Sequence, residues 1–464
     1  MSNKYHYHFI GIGGIGMSGI ALALIKKGFT ISGSDIIANE QTKNLSKLGA
    51  IIFNSQKPNN IDVVINKFSK KKIFIVISSA IQKNNIELNY CIKKKINIKH
   101  RSEVLALIMQ NYHSIAVAGT HGKTSTSTFL TTLLDLSTKN VSSIIGGIVP
   151  IYDSNSYIED TKYLVAEIDE SDGSAINYKS NLGIINNIDF DHCDYYENIN
   201  ELILSFKKFG SNSKELLINY DCKITRNNIK NDYQWSIKEI NKIDYAMIPK
   251  IQNELFTVAK YYEKGIYIDT LNIPIPGLHN LSNITAAIAA CRINNIDFKK
   301  IKEQISFLKL PKKRFEYRGN ICNRTIIDDY AHHPREIKET LKLGKLFINK
   351  NEKEKRLLAI FQPHRYTRVE KFFKEFAEEL SLADLIIITN IYSAGERNIN
   401  KISSKIISKE ILKNNKNVIL LKDNYEIKKN FFKLTKENDF IINMGAGDCH
   451  NLWSILRENN ISIL

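Results

Sequence analysis

The chain has 464 residues, of which 43% are hydrophobic and 24% are charged. These proportions are typical of an ordinary folded protein, and they exclude both an intrinsically disordered chain and a membrane protein. A chain of this length exceeds what one compact core supports, so two or three domains are expected.

The sequence is basic, with 65 Lys and Arg residues against 48 Asp and Glu residues and a net charge of +17. Clustered Lys and Arg would indicate a nucleic-acid partner. Short lysine runs, however, recur along the whole chain amid abundant Ile and Asn. We therefore interpret the charge as a solvated basic surface and expect no nucleic-acid partner.

No segment has the features of a membrane anchor or a secretion signal. The longest apolar stretches, such as Ile73–Ile77 and Leu385–Ile388, are strand-sized, whereas a spanning helix needs about 20 residues. The N-terminus has no long apolar segment before a cleavage site. The six cysteines form no C-x-x-C pair, which argues against a zinc site or a disulfide framework. We expect a cytoplasmic protein without a membrane anchor.

The first predicted domain, residues 1–108, opens with an apolar strand that ends at Ile10. A glycine-rich turn, Gly11–Gly16, and a helical pattern through Lys27 follow it. Further strands are predicted at Phe29–Ser32, Val63–Ile65 and Ile73–Ile77. A strand, a glycine turn, a helix and a second strand in this order predict a dinucleotide-type, Rossmann-like fold.

Gly11, Gly13 and Gly16 satisfy the G-x-G-x-x-G pattern, and Asp35 follows the second strand, where a ribose-binding acid would lie. Such a turn brings backbone N–H groups and a helix N-terminus to a diphosphate. Three interpretations stay open: a nicotinamide dinucleotide, a UDP-sugar and a purely structural turn. UDP also carries a diphosphate and a ribose, and we favour it.

The second predicted domain, residues 109–320, begins with the buried strand Ser114–Ala118, and a glycine turn and a helix starting near Lys123 follow. Residues Phe256–Ala259 and Gly265–Asp269 read as a β-hairpin. The other predicted elements are strands Tyr163–Ile168, Leu182–Ile185 and Leu216–Ile218 and helices Asn200–Phe209 and Ala286–Ala290.

The turn Gly119–Thr124 has the sequence Gly-Thr-His-Gly-Lys-Thr. A Walker A loop has a further glycine at the position of Val117, so this turn is shorter. Lys123 would contact the β- and γ-phosphates of ATP, and the Thr124 hydroxyl would bind Mg²⁺. We therefore predict ATP binding at this loop.

Two strand ends of the second domain offer metal ligands near that loop. Glu167 lies within an apolar strand, where an unpaired carboxylate would cost several kcal/mol. His192 follows the strand Leu182–Ile185, although a histidine read alone is more often a cap or core residue. The loop before Ala286 carries His279, Asn280 and Asn283, for which simple helix capping is the alternative.

The third predicted domain, residues 321–464, has polar groups after two of its strands. Two acids and two imidazoles, the last being His332 and His333, follow the predicted strand Ile326–Ile327. Arg365 and Arg368 follow the predicted strand Leu357–Phe361 and suit a carboxylate or phosphate. The predicted strands are Ile326–Ile327, Leu357–Phe361, Leu385–Thr389, Val418–Leu421 and Phe440–Asn443.

Taken together, these motifs closely resemble the Mur ligase family over essentially the whole chain, and they occur in the family's order. The matching segments are Gly11–Ala21, Gly119–Thr124, Glu167–Asp172, Asp191–His192, Gly277–Asn283, Asp328–Pro334 and Gln362–Arg368. One departure is Gly173–Ala175, where the family usually has Ala-Ser-Phe and this chain loses the aromatic side chain.

The resemblance implies a three-domain α/β protein: an N-terminal Rossmann-like domain, a central P-loop ATPase-like domain with a mostly parallel sheet and a small hairpin region, and a C-terminal Rossmann-like domain. It implies ATP-dependent ligation of L-alanine to the lactyl carboxylate of UDP-N-acetylmuramate through an acyl phosphate. ATP and Mg²⁺ or Mn²⁺ would be required. The protein would be a monomer or homodimer in peptidoglycan precursor synthesis.

The resemblance also implies roles for individual residues. Catalytic roles fall on Lys123, His332, His333, Arg365 and Arg368. ATP would contact Gly119, Thr120, His121, Gly122, Lys123, Thr124, Ser125, His279, Asn280, Asn283, Arg314 and Asp329. The UDP-sugar would contact Gly11, Gly13, Gly14, Gly16, Met17, Ser18, Asp35, Ser78, Ser79 and Ala80. The metal would contact Thr124, Glu167 and His192.

Three alternatives remain, and one of them is a UDP-sugar-binding protein without catalytic activity. A family member that recycles tripeptide onto the same UDP-sugar shares the phosphate loop, although segments Gln362–Arg368 and Gly16–Ser18 favour alanine addition. The rival class is a nicotinamide-dependent oxidoreductase that uses Gly11–Gly16. Selectivity among L-alanine, glycine and L-serine stays open, because one methyl group is worth only about 1–3 kcal/mol in a pocket.

Overall fold

The computed structural model describes residues 4–192, 195–348, 355–414 and 417–458. Its strands form three sheets of five, ten and six strands, one after another along the chain. This arrangement confirms the predicted three-part α/β fold with mostly parallel sheets.

The first sheet is wholly parallel, in the order β3-β2-β1-β4-β5. This order places the carboxyl ends of the two central strands, β1 and β4, side by side, as in dinucleotide-binding folds. The elements are β1 (Tyr5–Ile10), α1 (Ile15–Lys26), β2 (Thr30–Ser34), α2 (Glu40–Lys47), β3 (Ile51–Phe53), α3 (Pro58–Lys67), β4 (Lys72–Ile77), α4 (Ile86–Lys93), β5 (Asn97–His100) and α5 (Arg101–Met109).

The second sheet has the order β15-β14-β13-β12-β11-β10-β6-β9-β7-β8. Neighbouring strands pair in parallel except for β7 with β8, β13 with β14 and β14 with β15. The elements are β6 (His113–Ala118), α6 (Lys123–Thr138), β7 (Val141–Val149), β8 (Ser154–Tyr157), β9 (Tyr163–Glu167), β10 (Ser180–Ile185), α7 (Ile199–Asn212), β11 (Ser213–Asn219), α8 (Lys223–Asn228), β12 (Tyr233–Ser236), β13 (Tyr245–Gln252), β14 (Thr257–Glu263), β15 (Ile266–Ile273), α9 (Leu278–Ile293) and α10 (Phe298–Gln304).

The third sheet has the order β16-β17-β21-β18-β19-β20, and only β16 is antiparallel. The elements are β16 (Glu316–Ile321), β17 (Arg324–Asp329), α11 (Pro334–Phe347), β18 (Leu357–Phe361), α12 (Tyr366–Leu380), β19 (Leu385–Ile388), α13 (Lys405–Asn414), β20 (Val418–Leu420), α14 (Asn424–Leu434), β21 (Phe440–Met444) and α15 (Leu452–Arg457).

The predicted strand at Val63–Ile65 was wrong, because these residues lie inside helix α3. Pro58 opens this helix at its first turn, a position that suits proline. Ile61 and Val64 are buried while Val63 is 41% exposed, which is the spacing of a helix face. Three β-branched residues in a row favoured a strand locally, and tertiary packing overrode that preference.

The division between the second and third domains at residues 320 and 321 stays a prediction. Strand β16 of the third sheet already begins at Glu316. Among the described residues, no helix is long and apolar enough to cross a membrane. Five cysteines that the structure describes, Cys91, Cys222, Cys291, Cys322 and Cys449, are free thiols.

Candidate active site

The predicted phosphate loop connects β6 to α6, at the carboxyl edge of the central sheet. Gly119 and Gly122 adopt φ of +135° and +78°, a region that non-glycine side chains rarely enter. A Cβ on Gly122 would lie 2.6 Å from Oδ1 of Asn283 and 3.1 Å from Nδ2 of Asn186. The loop therefore requires glycine both for its backbone conformation and for space.

The loop following β10 holds the phosphate loop in place. The backbone N–H of Thr120 donates to the carbonyl oxygen of Asn187, and the N–H of His121 donates to Oδ1 of the same residue at 2.8 Å. Nδ2 of Asn186 donates to the Thr126 hydroxyl at 2.9 Å. These bonds fix the loop before any ligand binds, as a phosphate-binding turn requires.

The ammonium group of Lys123 is held by a buried carboxylate. Its Nζ lies 2.9 Å from Oε1 of Glu170 and donates to the carbonyl oxygen of Gly119 at 2.7 Å. Nε2 of His192 lies 3.1 Å from the same Glu170 oxygen. Burial lowers the pKa of His192, but Asp191 and Glu170 outweigh it and raise the pKa. Glu170 thus joins the loop lysine to the predicted metal-binding histidine.

Thr124 and Glu167 lie together, as their predicted shared role requires. The Thr124 hydroxyl donates to Oε1 of Glu167 at 2.9 Å, and the N–H of Gly146 donates to Oε2 at 2.7 Å. Burial raises the pKa of Glu167, partly offset by Lys123. A hydroxyl and a buried carboxylate beside a phosphate loop are hard oxygen ligands, so this pair fits Mg²⁺.

The third domain closes against the phosphate loop through ion pairs. Nδ1 of His121 lies 3.2 Å from Oε1 of Glu336, and its Nε2 lies 3.4 Å from Oδ2 of Asp189. Arg335 contacts the same Asp189 oxygen at 2.6 Å. Burial lowers the pKa of His121, but the bonds to Asp189 and Glu336 prevail and raise it to about 9. The imidazole is therefore cationic at neutral pH.

Ligand atoms of His121, Asp189 and His333 lie within 4.8 Å of one another, a grouping that is able to hold a metal. Asp189 is already paired with the Arg335 guanidinium, and His121 is protonated by its two acidic neighbours. A protonated imidazole is not a metal ligand. We assign this cluster to interdomain ion pairs.

His332 and His333 have different environments. Nδ1 of His332 lies 2.9 Å from the carbonyl oxygen of Tyr330, so this nitrogen carries the proton and Nε2 keeps a lone pair. Nδ1 of His333 instead accepts from the N–H of Arg335 and caps α11. Burial lowers the pKa of both imidazoles to about 4. Both are neutral at pH 7, and only His332 presents an acceptor nitrogen away from the backbone.

The two predicted arginines also differ. Arg368 is buried, and its Nε and Nη2 donate to the two oxygens of Asp191 at 2.9 and 3.1 Å. This fork ties the third domain to the loop that carries His192. Arg365 lies 3.7 Å from Glu396 and is less buried.

The other residues that were predicted to contact ATP differ in their burial and in their partners. Asn283 lies against Gly122, and Ser125 is buried in the first turn of α6. Asn280 donates to the carbonyl oxygen of Pro276 and does not cap α9, and His279 lies 3.8 Å from Glu339 of the third domain. Oε1 of Glu336 is 3.9 Å from Arg314.

Asp329 is engaged by its own loop. Its carboxylate accepts the backbone N–H groups of Phe315 and Ala331, both at 2.7 Å, and the hydroxyl of Thr340. The structure therefore gives Asp329 a role in shaping the segment that carries Arg314.

In the first domain, Oδ2 of Asp35 accepts the N–H of Gly13 at 2.7 Å, so this acid stabilises the glycine turn itself. Gly11 and Gly14 complete the turn at the carboxyl end of β1, and Gly16 lies in the first turn of α1. Ser78, Ser79 and Ala80 follow the adjacent strand β4, and the last two are exposed. The turn and this segment therefore line one edge of the sheet.

Met17 and Ser18 were also predicted to contact the UDP-sugar, but their side chains are buried. Both are about 3% exposed, and Ser18 donates to the carbonyl oxygen of Ile15 while Asn155 of the central domain contacts its hydroxyl at 3.3 Å. Their side chains thus pack between the first and second domains. Arg101 makes a second link, to Asp169 at 2.5 Å.

Three acids that make ion pairs at this site were not singled out by the sequence motifs: Glu170, Asp191 and Glu336. Each lies within or directly after a recognised segment, and each has its main basic partner far along the chain or in another domain. The pairing of His121 with Glu336 spans 215 positions. For Glu170 the available signal was its position shortly after the buried strand β9, whereas Glu336 lies inside helix α11 and gave no such signal.

Comparisons with known proteins follow the same three divisions. The model of the Mur ligase family, catalytic domain, matches residues 6–113, that of the Mur ligase middle domain matches residues 117–291, and that of the Mur ligase, glutamate ligase domain, matches residues 313–447. The matched residues cover well over half of the chain.

Similar proteins match from end to end. A UDP-N-acetylmuramate–L-alanine ligase of Prochlorococcus marinus subsp. pastoris is 64% identical over 465 residues, covering 99% of this chain and 98% of the relative. The crystal structure of the UDP-N-acetylmuramate-alanine ligase of Thermotoga maritima has a TM-score of 0.81 at 26% identity, covering 98% of both chains. A murein peptide ligase of Psychrobacter arcticus shares the fold, with a TM-score of 0.73 at 22% identity, covering 99% of this chain and 100% of that one. The chain belongs to the Mur ligase family.

Proposed function

We propose that this protein joins L-alanine to the lactyl carboxylate of UDP-N-acetylmuramate, with cleavage of ATP to ADP and phosphate, in peptidoglycan precursor synthesis. The observation that carries the proposal is the relative of this activity, 64% identical over nearly the whole of both chains. The phosphate loop, whose His121 contacts His333 and Glu336 of the third domain, supplies a site suited to that reaction.

In the first step, a lactyl carboxylate oxygen attacks the γ-phosphorus of ATP, which forms an acyl phosphate and releases ADP. The Lys123 ammonium stabilises negative charge on the transferring group, and backbone N–H groups of the loop and the start of α6 contact the phosphates. Glu170 fixes the position of Lys123.

Thr124 and Glu167 would hold Mg²⁺ here, and His192, the third predicted ligand, contacts Glu170 at 3.1 Å. When bound, Mg²⁺ supplies neutralisation of charge at the phosphate oxygens. Mn²⁺ has the same preference for oxygen ligands and would suit the same residues.

In the second step, the amine of L-alanine attacks the acyl carbon and phosphate leaves. The attacking amine must be uncharged, and Nε2 of His332 offers a lone pair that would accept a hydrogen bond from this amine and orient it. We assign this role to His332 and not to His333, whose Nδ1 is used in capping α11. The ion pairs of His121 and Arg368 close the third domain on the site and exclude water from the acyl phosphate.

The glycine turn Gly11–Gly16 and the Ser78–Ala80 segment would hold the UDP diphosphate at the carboxyl edge of the first sheet. Since Asp35 is bonded to Gly13, it would shape this turn and contact ribose only through its second oxygen. Met17 and Ser18 would act by packing and not by direct contact with the nucleotide.

The test is release of inorganic phosphate with ATP, UDP-N-acetylmuramate and each of L-alanine, glycine, L-serine and the tripeptide. We expect phosphate release with L-alanine to exceed that with tripeptide by a large factor. Turnover with tripeptide alone would support the recycling ligase. Cofactor-dependent absorbance change at the wavelength of reduced nicotinamide, without phosphate release, would support the oxidoreductase.

A further inference from the structure

The excess positive charge of the protein is concentrated in its first domain. Residues 1–108 contain 16 Lys and Arg residues and five Asp and Glu residues, whereas residues 109–320 contain 24 of each. A uniform drift in composition would give the longer segment the larger excess, and it has none. Residues 321–464 contain 25 Lys and Arg residues and 19 Asp and Glu residues, so Lys and Arg occur at a similar density along the chain, and the first domain has its excess because it contains few acids.

These lysines gather at one edge of the first sheet. Because β1 to β5 are all parallel, the starts of the five strands share one edge, and lysines lie at or shortly before every start. We call this set the basic edge; its members are Lys4, Lys26, Lys27, Lys47, Lys67, Lys70, Lys71, Lys72, Lys93, Lys94 and Lys95.

The charge of the basic edge is largely uncompensated. Among the residues that the structure describes, Lys26 alone of this set has a carboxylate partner within 4.0 Å, Glu159 at 3.7 Å. All members except Lys27 and Lys71 are exposed. A lysine in the last turn of a helix is favoured by the helix dipole, but this accounts for one lysine per helix and not for the runs Lys70–Lys72 and Lys93–Lys95.

Exposed aliphatic side chains lie among these lysines. Leu48, directly after Lys47, is 48% exposed, and Ile92, directly before Lys93, is 54% exposed. Lysines with interspersed aliphatic side chains are typical of surfaces that bind an anionic lipid bilayer. Nucleic-acid surfaces instead rely on arginine forks and exposed aromatic rings. The basic edge has no arginine, and its rings Phe68 and Tyr90 are half-buried.

The basic edge lies opposite the proposed UDP-binding turn. Gly11 and Asp35 follow the carboxyl ends of β1 and β2, and a six-residue strand spans about 20 Å at roughly 3.3 Å per residue. A flat surface resting on the basic edge would therefore leave the glycine turn open to substrate.

We propose that the basic edge docks the protein peripherally on the surface of a bilayer rich in anionic phospholipid, with Leu48 and Ile92 entering the headgroup region. The binding is electrostatic and reversible, since the surface potential extends only about one Debye length, roughly 10 Å at 0.1 M salt.

The test is co-sedimentation of the full-length protein with vesicles of phosphatidylcholine alone or with 30% phosphatidylglycerol. We expect binding to the anionic vesicles only, with loss of binding in 0.5 M NaCl. The variant Lys70→Gln, Lys72→Gln, Lys93→Gln, Lys94→Gln should bind at least 50-fold more weakly, since each lysine near the surface contributes roughly five-fold. The control is Lys242→Gln, Lys250→Gln, Lys299→Gln, Lys300→Gln, which neutralises four exposed lysines of the central domain.

The control variant should bind vesicles as the unmodified protein does, and both variants should release phosphate from soluble substrates at the unmodified rate, which shows that they fold. Equal binding to neutral and anionic vesicles, or equal loss in the two variants, would overturn the proposal. So would tight, salt-sensitive binding to a single-stranded oligonucleotide without binding to anionic vesicles, which would assign the basic edge to nucleic acid.

Discussion

Gly122→Ala tests whether the phosphate loop works through its shape. The φ of Gly122 is +78°, and a left-handed conformation costs a non-glycine residue about 1–2 kcal/mol. The added Cβ would also lie 2.6 Å from Oδ1 of Asn283, so Asn283 or the loop must move, at a further cost of about 1–3 kcal/mol. Gly265→Ala is the matched control, because Gly265 has a φ of +83° and nothing within 4 Å of the added Cβ.

Gly265→Ala should lower the free energy of unfolding, measured in urea, by about 1–2 kcal/mol. Gly122→Ala should lower it by more, because its Cβ also displaces Asn283 or the loop. Only Gly122→Ala should lose activity, by about 100-fold in kcat for alanine-dependent phosphate release, because a displacement of about 1 Å at a reacting centre has an effect of that size. If Gly122→Ala kept kcat within three-fold of Gly265→Ala, the reasoning that the Gly122 contacts set the loop geometry would be refuted.

Three further predictions concern the groups around that loop. Lys123→Ala should lower kcat more than 100-fold while calorimetry finds the dissociation constant of UDP-N-acetylmuramate within three-fold of the unmodified value; retained turnover would contradict the role of Lys123. His332→Ala should lower kcat at least ten-fold without a loss of stability, whereas His333→Ala should chiefly lower the free energy of unfolding, by about 1 kcal/mol, through loss of the helix cap; the reverse pattern in kinetics and urea titrations would exchange the two roles. The pKa of His121 is raised to about 9 from an ordinary 6.5, which contributes up to about 3 kcal/mol to the free energy of unfolding. This contribution is fully present below pH 6.5 and is lost as pH rises through 9. Glu336→Gln should therefore flatten the decline in urea titrations from pH 6 to 9.5, and an unchanged decline would count against the ion pair.

The sequence predicted the parts of the site that local pattern determines. An apolar strand followed by Gly119–Thr124 requires a turn and a helix, and β6 and α6 are placed accordingly. The carboxylate in the apolar strand β9 implied a partner, and Glu167 contacts the Thr124 hydroxyl.

The parts that depend on contacts between domains could not be predicted in the same way. Nothing near Glu336 in the sequence shows that it faces His121, and nothing near Asp191 shows that it binds Nε and Nη2 of Arg368. Such pairs form only when folded domains meet. The exposed side of a short helix is equally hard to infer, which is why Val63–Ile65 read as a strand.

The charge distribution shows a third limit of sequence reading. Lysine runs look alike along the chain, yet parallel pairing of β1 to β5 brings those of the first domain to one edge. Their shared position follows from sheet topology and not from spacing in the sequence.

The central claim is that the lactyl carboxylate is activated as an acyl phosphate, and isotope transfer tests it most directly. UDP-N-acetylmuramate labelled with ¹⁸O in both carboxylate oxygens is incubated with ATP, L-alanine and the protein, and the released phosphate is examined by mass spectrometry. One ¹⁸O atom per phosphate, with the other retained in the new amide, is the predicted result. Phosphate released without ¹⁸O would contradict the account.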